Sequence, residues 1–203
     1  GQRLETDGTP VKDSKNAPDA AFDQTGYSAK FGVEKEKYAL SLDYSENEGN
    51  SQYDNYGAVA NQDFKNEIVN IKGRVNLAPS VEVNARVSQF KDDIDQNDLN
   101  YLGTYDFVHS TTQEAELYGK WQFTPSQNIL LGTTYQNIDG DVISWGSTYA
   151  ADVDSQGYYL QHQYNANGLN TQAGIRVEDN EKYGTHTIGQ IAARYQLFPL
   201  TSI

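Results

Sequence analysis

The sequence predicts an all-β protein, an antiparallel up-and-down transmembrane β-barrel meander of about nine to ten strands. Three observations carry the prediction. Apolar and polar residues alternate with period two through runs of about ten residues, the length of a tilted membrane strand. The connections between runs are short and long in turn. The composition, 15 Tyr and 17 Gly beside many Asn, Gln, Ser and Thr, is the mixture expected of membrane strands and their aromatic girdles.

The first run sets Tyr27, Ala29, Phe31 and Val33 against Ser28, Lys30 and Glu34, and the second sets Tyr38, Leu40, Leu42 and Tyr44 against Ser41, Asp43 and Ser45. In the third, Val69, Ile71, Gly73, Val75 and Leu77 face away from Asn70, Lys72, Arg74 and Asn76. The fourth carries Val81, Val83, Ala85 and Val87 against Glu82, Asn84, Arg86 and Ser88, and the fifth Ala115, Leu117, Gly119, Trp121 and Phe123 against Glu116, Tyr118, Lys120 and Gln122. Ile129, Leu131, Thr133 and Tyr135 make the sixth, where Leu130 on the other parity blurs the pattern. Tyr158, Leu160, His162 and Tyr164 make the seventh; Thr171, Ala173, Ile175 and Val177 the eighth; Gly189, Ile191, Ala193, Tyr195 and Leu197 the ninth.

Short turns are expected at Glu34–Lys37, Leu77–Ser80, Phe123–Ser126, Asn165–Gly168 and Phe198–Pro199, and long polar loops at about residues 46–65, 91–112, 138–155 and 179–186. In an outer-membrane barrel the short turns are periplasmic and the long loops extracellular. An apolar face turned to a core would need a second layer, and no segment is left to form one. The apolar face is therefore expected in lipid and the polar face in a water-filled lumen; a soluble adhesive β-sandwich, whose half-buried strands also alternate, is the alternative architecture.

No window of the 203 residues has the roughly 18 consecutive apolar residues of a spanning helix. The net charge of −13 argues against nucleic acid as partner. With no Cys, no disulfide staples the fold. Residues 1–24 are polar and are expected to be an extracellular acidic loop, and residues 200–203 look like the start of another run, so the chain reads as an excerpt of a larger barrel. Enzymatic arrangements are thin: His109, His162 and His186 fall in different segments, and no nucleophile elbow, zinc-binding helix motif or phosphate loop occurs. No redox cofactor is expected. Clustered loop carboxylates, among them Asp7, Asp23, Asp54 and Asp63, have the hard-oxygen chemistry of a structural calcium site, and equally that of a solvated acidic surface. A passive porin or sugar-specific channel is the alternative transport function, its charged lumen supplying selectivity.

Residues 173–192, AGIRVEDNEKYGTHTIGQIA, resemble a mid-barrel stretch of TonB-dependent outer-membrane receptors, most closely those for cobalamin; the Glu178-Asp179-Asn180 and Gly184-Thr185-His186-Thr187 parts carry the specificity. Tyr53-Asp54, with Asp23-Gln24-Thr25-Gly26-Tyr27, is similar to that family's calcium-binding loops. The resemblance covers most of residues 19–203. It implies a bacterial outer-membrane location, a 22-stranded barrel whose lumen holds an N-terminal plug, and energy-dependent uptake of cobalamin or a related corrinoid through TonB. Neither plug nor TonB box is in this chain, so the resemblance implies a partial receptor barrel spanning residues 1–203. Asp23, Asp54 and Asp63 would match calcium ligands, with Asp7 in a rewritten first loop; Thr25 stands where the family has a second acid. A corrinoid is a broad neutral disc rimmed by amides, which needs flat apolar contacts and scattered hydrogen-bond partners. Tyr53, Tyr101, Trp145 and Tyr149, in the long loops, are the expected ligand contacts, with a place in the interfacial aromatic girdle as the alternative role of each.

Overall fold

The computed structural model describes residues 1–10, 17–56, 58–198 and 201–202. They form one sheet in which every strand pairs antiparallel with its neighbour in sequence. The strands are β1 Gln2–Pro10, β2 Asp19–Glu34, β3 Tyr38–Asn55, β4 Ala58–Ala78, β5 Val81–Leu99, β6 Tyr105–Thr124, β7 Gln127–Ser144, β8 Ser147–Ala166, β9 Leu169–Asn180, β10 Gly184–Phe198 and the short β11 Thr201–Ser202. Among the described residues no second layer covers either face, and of the hydrophobic ones only Ala60 is buried. This single sheet replaces the sandwich alternative.

Register fixes the faces, because residues directly opposite in antiparallel strands share one. Tyr38, Val75, Val83, Gly119, Leu131, Leu160, Ile175 and Gly189 stand in one row from β3 to β10. The next row, on the opposite face, is Ala39, Arg74, Asn84, Tyr118, Gly132, Tyr159, Arg176 and Ile188. The second face is the concave one. Its side chains reach across an intervening strand, as from Tyr53 to Gln96, Tyr159 to Glu116, Arg176 to Thr134 and Gln190 to Gln161. Two glycines make that crossing possible: a Cβ on Gly132 would sit 2.5 Å from the Tyr159 ring, and one on Gly157 2.6 Å from the Arg176 guanidinium. The apolar convex face stands open, with Val87 56% and Leu131 61% exposed.

Aromatic residues border that convex face along two oblique lines. Tyr27, Tyr44, Tyr135 and Tyr158 lie toward one end and Tyr38, Trp121, Tyr164 and Tyr195 toward the other, each line stepping down the register from β2 toward β10. A band level with a bilayer runs obliquely across strands that are tilted in it, which is the geometry of a barrel wall.

The connections expected to be short are short, and a two-residue turn at Asn167-Gly168, with φ of 53° and 77°, joins β8 to β9. The expected long loops are corrected. Strand pairing runs on through them, so β4 has 21 residues and β6 has 20, about twice what a crossing needs. The hairpins close at Tyr56, at Asn100–Thr104, at Trp145-Gly146 and at 181–183. Residues 2–10 and 19–24 are likewise strand and not loop: β1 pairs with β2 from Gln2 opposite Gly26 to Pro10 opposite Asp19, with a shift between Thr6 and Thr9. Residues 11–16 lie outside the described residues, as does Pro199 of the last expected turn. Backbone ladders carry the pairing through these arms, and cross-strand amide and carboxylate pairs such as Asn137 with Asp152 and Asp154 line their convex side.

Candidate ligand site at the hairpin tips

On the concave face the lower halves of the strands carry a polar network, largely paired, with Arg74 Nε and Asn128 Oδ1 buried and without a hydrogen-bond partner. Arg86 reaches Glu114 at 3.2 Å and Glu116 at 3.7 Å, and the Tyr159 hydroxyl donates to Glu116 at 2.9 Å. Arg176 donates to Glu178 and Thr134, each at 2.9 Å. Lys30 and Lys72 share Asp43. These half-exposed pairs add little stability individually. Together they make a wettable wall.

Above them the faces invert while the pairing stays unbroken. Between Gln62 and Asn76 of β4, between Val81 and Asp95 of β5, and along β7 opposite β8, no register shift occurs. Yet in the upper arms Phe64, Ile94, Val108, Val142 and Tyr149 form one row on the concave face. The convex face there carries Asp63, Asp95 and His109 in β4 to β6 and Asp141 and Asp152 beyond. The Glu46 carboxyl is held below its usual range, first by the Tyr44 hydroxyl and then by Lys65. Asp154 is held down by Tyr135 and then Asn137.

At the tips the turns lock to one another. The Asn100 side-chain carbonyl accepts from the Leu102 and Thr104 amides at 2.9 and 3.1 Å, and its amide donates to Asp106 at 2.8 Å. Asp106 in turn accepts the Trp145 backbone N–H at 3.0 and 3.1 Å. Trp145 and Gly146 both have positive φ, 52° and 75°, the two-residue turn whose twist suits a hairpin. Leu102 lies over Gly146, where a Cβ would meet its side chain at 2.4 Å. This docking brings the Tyr101 and Trp145 rings to 5.2 Å at a tilt of 46°.

A cavity of about 590 Å³ opens on the concave side of these turns, with Tyr53, Tyr56, Tyr101 and Trp145 around it and Ile94 and Val108 as its floor. That volume suits a small-molecule site. The Tyr53 hydroxyl donates to Gln96 at 2.6 Å, and Gln96 to Gln62 at 2.8 Å. The lining includes Asp98 and Asp106 and no Lys, Arg or His. Three of the four expected ligand aromatics therefore converge. Tyr149 does not join them: it stands opposite Val142 in β8, 61% exposed. Ile94, Val108, Asn100 and Asp106 were not anticipated, although Asn100 and Gly103 around Tyr101 are turn residues that could have marked the tip.

The four expected calcium ligands are not gathered. Asp23 and Asp63 flank Asn50 in one row, Asp54 stands opposite Val59, and Asp7 lies at the β1 irregularity. Both Asp63 carboxylate oxygens accept amides, from Asn50 at 2.7 Å and Asn97 at 3.0 Å. No group of three or more His, Cys, Asp or Glu among the described residues is placed to hold a metal ion. The histidines are scattered too, His109 on Asp95, His162 on Gln127 and His186 on the Tyr183 carbonyl.

Among solved structures, the chain matches the siderophore receptor PirA of Acinetobacter baumannii with a TM-score of 0.77 at 12% identity, over 96% of this chain and 35% of that one. The chain has the fold of a TonB-dependent receptor barrel. It also superposes on the FrpB iron transporter of Neisseria meningitidis, with a TM-score of 0.72 at 12% identity over 97% of this chain and 39% of that one. The ferric enterobactin receptor PfeA of Pseudomonas aeruginosa gives 0.73 at 7% identity, over 95% and 34%. By sequence it is 24% identical over 201 residues to the vitamin B12 transporter BtuB of Photobacterium profundum, covering 96% of this chain and 32% of that protein. The chain thus spans about a third of these relatives. No family model matches it.

Proposed function

We propose that the chain forms part of the barrel of a TonB-dependent receptor in the Gram-negative outer membrane, one that takes up cobalamin or a related corrinoid. The observation that carries the ligand reading is the cation-free aromatic cavity at the hairpin tips, with Tyr53, Tyr101 and Trp145 converging on it. Flat rings take the face of a neutral disc, and Gln96 and Asn100 stand at the cavity for its amides. The likeness to a vitamin B12 transporter supports the same ligand. In this reading the convex apolar band lies in lipid, the arms project outside, and the concave polar wall lines a lumen filled by a plug. TonB pulls on that plug from the periplasm, and the barrel's part is to bind the ligand and guide it inward. Tyr149 contributes from the wall and not from the tip. A structural calcium ion at Asp23, Asp54 and Asp63, with Asp7, belongs to this reading; at Asp63 it would take the place of the Asn50 and Asn97 amides.

Equilibrium binding of cyanocobalamin to outer-membrane vesicles carrying the complete gene product tests this. Saturable binding that Trp145→Ala weakens is expected. A wild type that binds no cyanocobalamin would remove the corrinoid.

A further inference from the structure

The row beneath the tip cavity has no structural duty that explains its composition. Phe64, Ile94, Val108, Val142 and Tyr149 lie on consecutive strands from β4 to β8, on the concave face, above the level where the convex face is apolar. Among the described residues no second layer covers them, and Val108 is 39% exposed. Phe22 extends the row at one end, its ring 5.8 Å from that of Phe64 and nearly parallel to it. The row below it, Asn66, Asp92, Ser110, Gly140 and Ala151, is polar or small. This apolar strip, with a second largely apolar row of Ile68, Phe90, Thr112, Ile138 and Val153 further down the same face, is a candidate binding surface.

We infer that this strip is a second ligand subsite, continuous with the tip cavity, for the broad apolar face of a ligand without anionic groups. Continuity is given by Ile94 and Val108, which belong to both the strip and the cavity floor. Ligand charge is set by the surroundings. The cavity lining holds two carboxylates and no cation, while Arg86 and Arg176 lie in the lower rows with their own acids. An anionic chelate would meet repulsion at the tip and find no partner along the strip. A neutral ligand can leave the tip rings and still rest on apolar surface as it descends. The strip also gives Tyr149 a role, as the far end of this wall. The inference rests on the receptor reading above and adds where the ligand goes after first contact.

Its test uses the complete gene product in outer-membrane vesicles, with cyanocobalamin as the neutral probe and a ferric tricatecholate as the anionic one. Val108→Asn and Val142→Asn should each weaken cyanocobalamin binding about tenfold, whereas Asp141→Asn, on the convex face next to Val142, should leave it unchanged. Val142→Ala, expected to weaken binding severalfold, covers the case in which the Asn variant does not assemble. Wild-type affinity in both strip variants overturns the second subsite and leaves the tip site standing. Binding of the ferric tricatecholate in place of cyanocobalamin overturns the ligand class and the corrinoid reading together, and binding of neither probe removes the tip site and the strip alike.

Discussion

Trp145 is positioned by its backbone. Its N–H donates to Asp106, the same carboxylate that anchors Asn100, so one acid sets the distance between the two rings that frame the cavity. Asp106→Ala is expected to loosen the Trp145 turn locally by about 1 kcal/mol, since the bonds are charge-assisted but open to water. Faster hydrogen exchange at the Trp145 amide checks this, and unchanged exchange would show that the turn holds without Asp106. Tyr53→Ala should cost about 1–3 kcal/mol of cyanocobalamin affinity with assembly intact; loss of assembly at full affinity would make Tyr53 a girdle residue. At this scale the aromatics were legible because large rings in polar segments stand out. Asn100 and Asp106 were not, because their importance lies in contacts between two hairpins far apart in sequence, which spacing alone does not encode.

The arms β3 to β8 show why the upper halves of the strands were misread. Period two persists through them, but its meaning changes: in β5 the apolar parity passes from Val83, Ala85 and Val87 on the convex face to Phe90 and Ile94 on the concave one. A search for one constant apolar parity loses the strand where the polarity inverts, so polar arms became loops. The lower halves, with lipid-type alternation, were read in the right places. The arms also have a pH dependence of known sign. Asp154 is depressed by the Tyr135 hydroxyl at 2.7 Å and then by the Asn137 amide. A depressed folded-state value means that the stabilisation is fully present above the ordinary carboxylate range and is lost as pH falls through the folded value. Protection factors of the β7 and β8 arm amides, taken relative to the unstructured rate at each pH, should therefore be steady from neutrality down to that range and fall below it. Asp154→Asn should flatten this acid limb; an unaltered limb would assign it to other carboxylates.

At the level of the molecule, the described residues form one sheet with an apolar convex face, oblique aromatic borders and a charged concave wall. In the proposed reading lipid covers the apolar band. Arg at Val83, in the middle of the band, is expected to destabilise the barrel by about 2–4 kcal/mol, and unfolding of the variant in lipid vesicles measures it. The whole-molecule architecture was legible from run parity and turn chemistry; the arm lengths and the β1 pairing were not, since neither depends on an apolar pattern. The most direct test of the account compares single cysteines at Val83 and Arg86, neighbours on β5 with side chains on opposite faces, in cells expressing the complete gene product. The account predicts that position 86 reacts with a small water-soluble maleimide while position 83 reacts only with a bilayer-dissolved reagent. Aqueous labelling of position 83 together with protection of position 86 would contradict it.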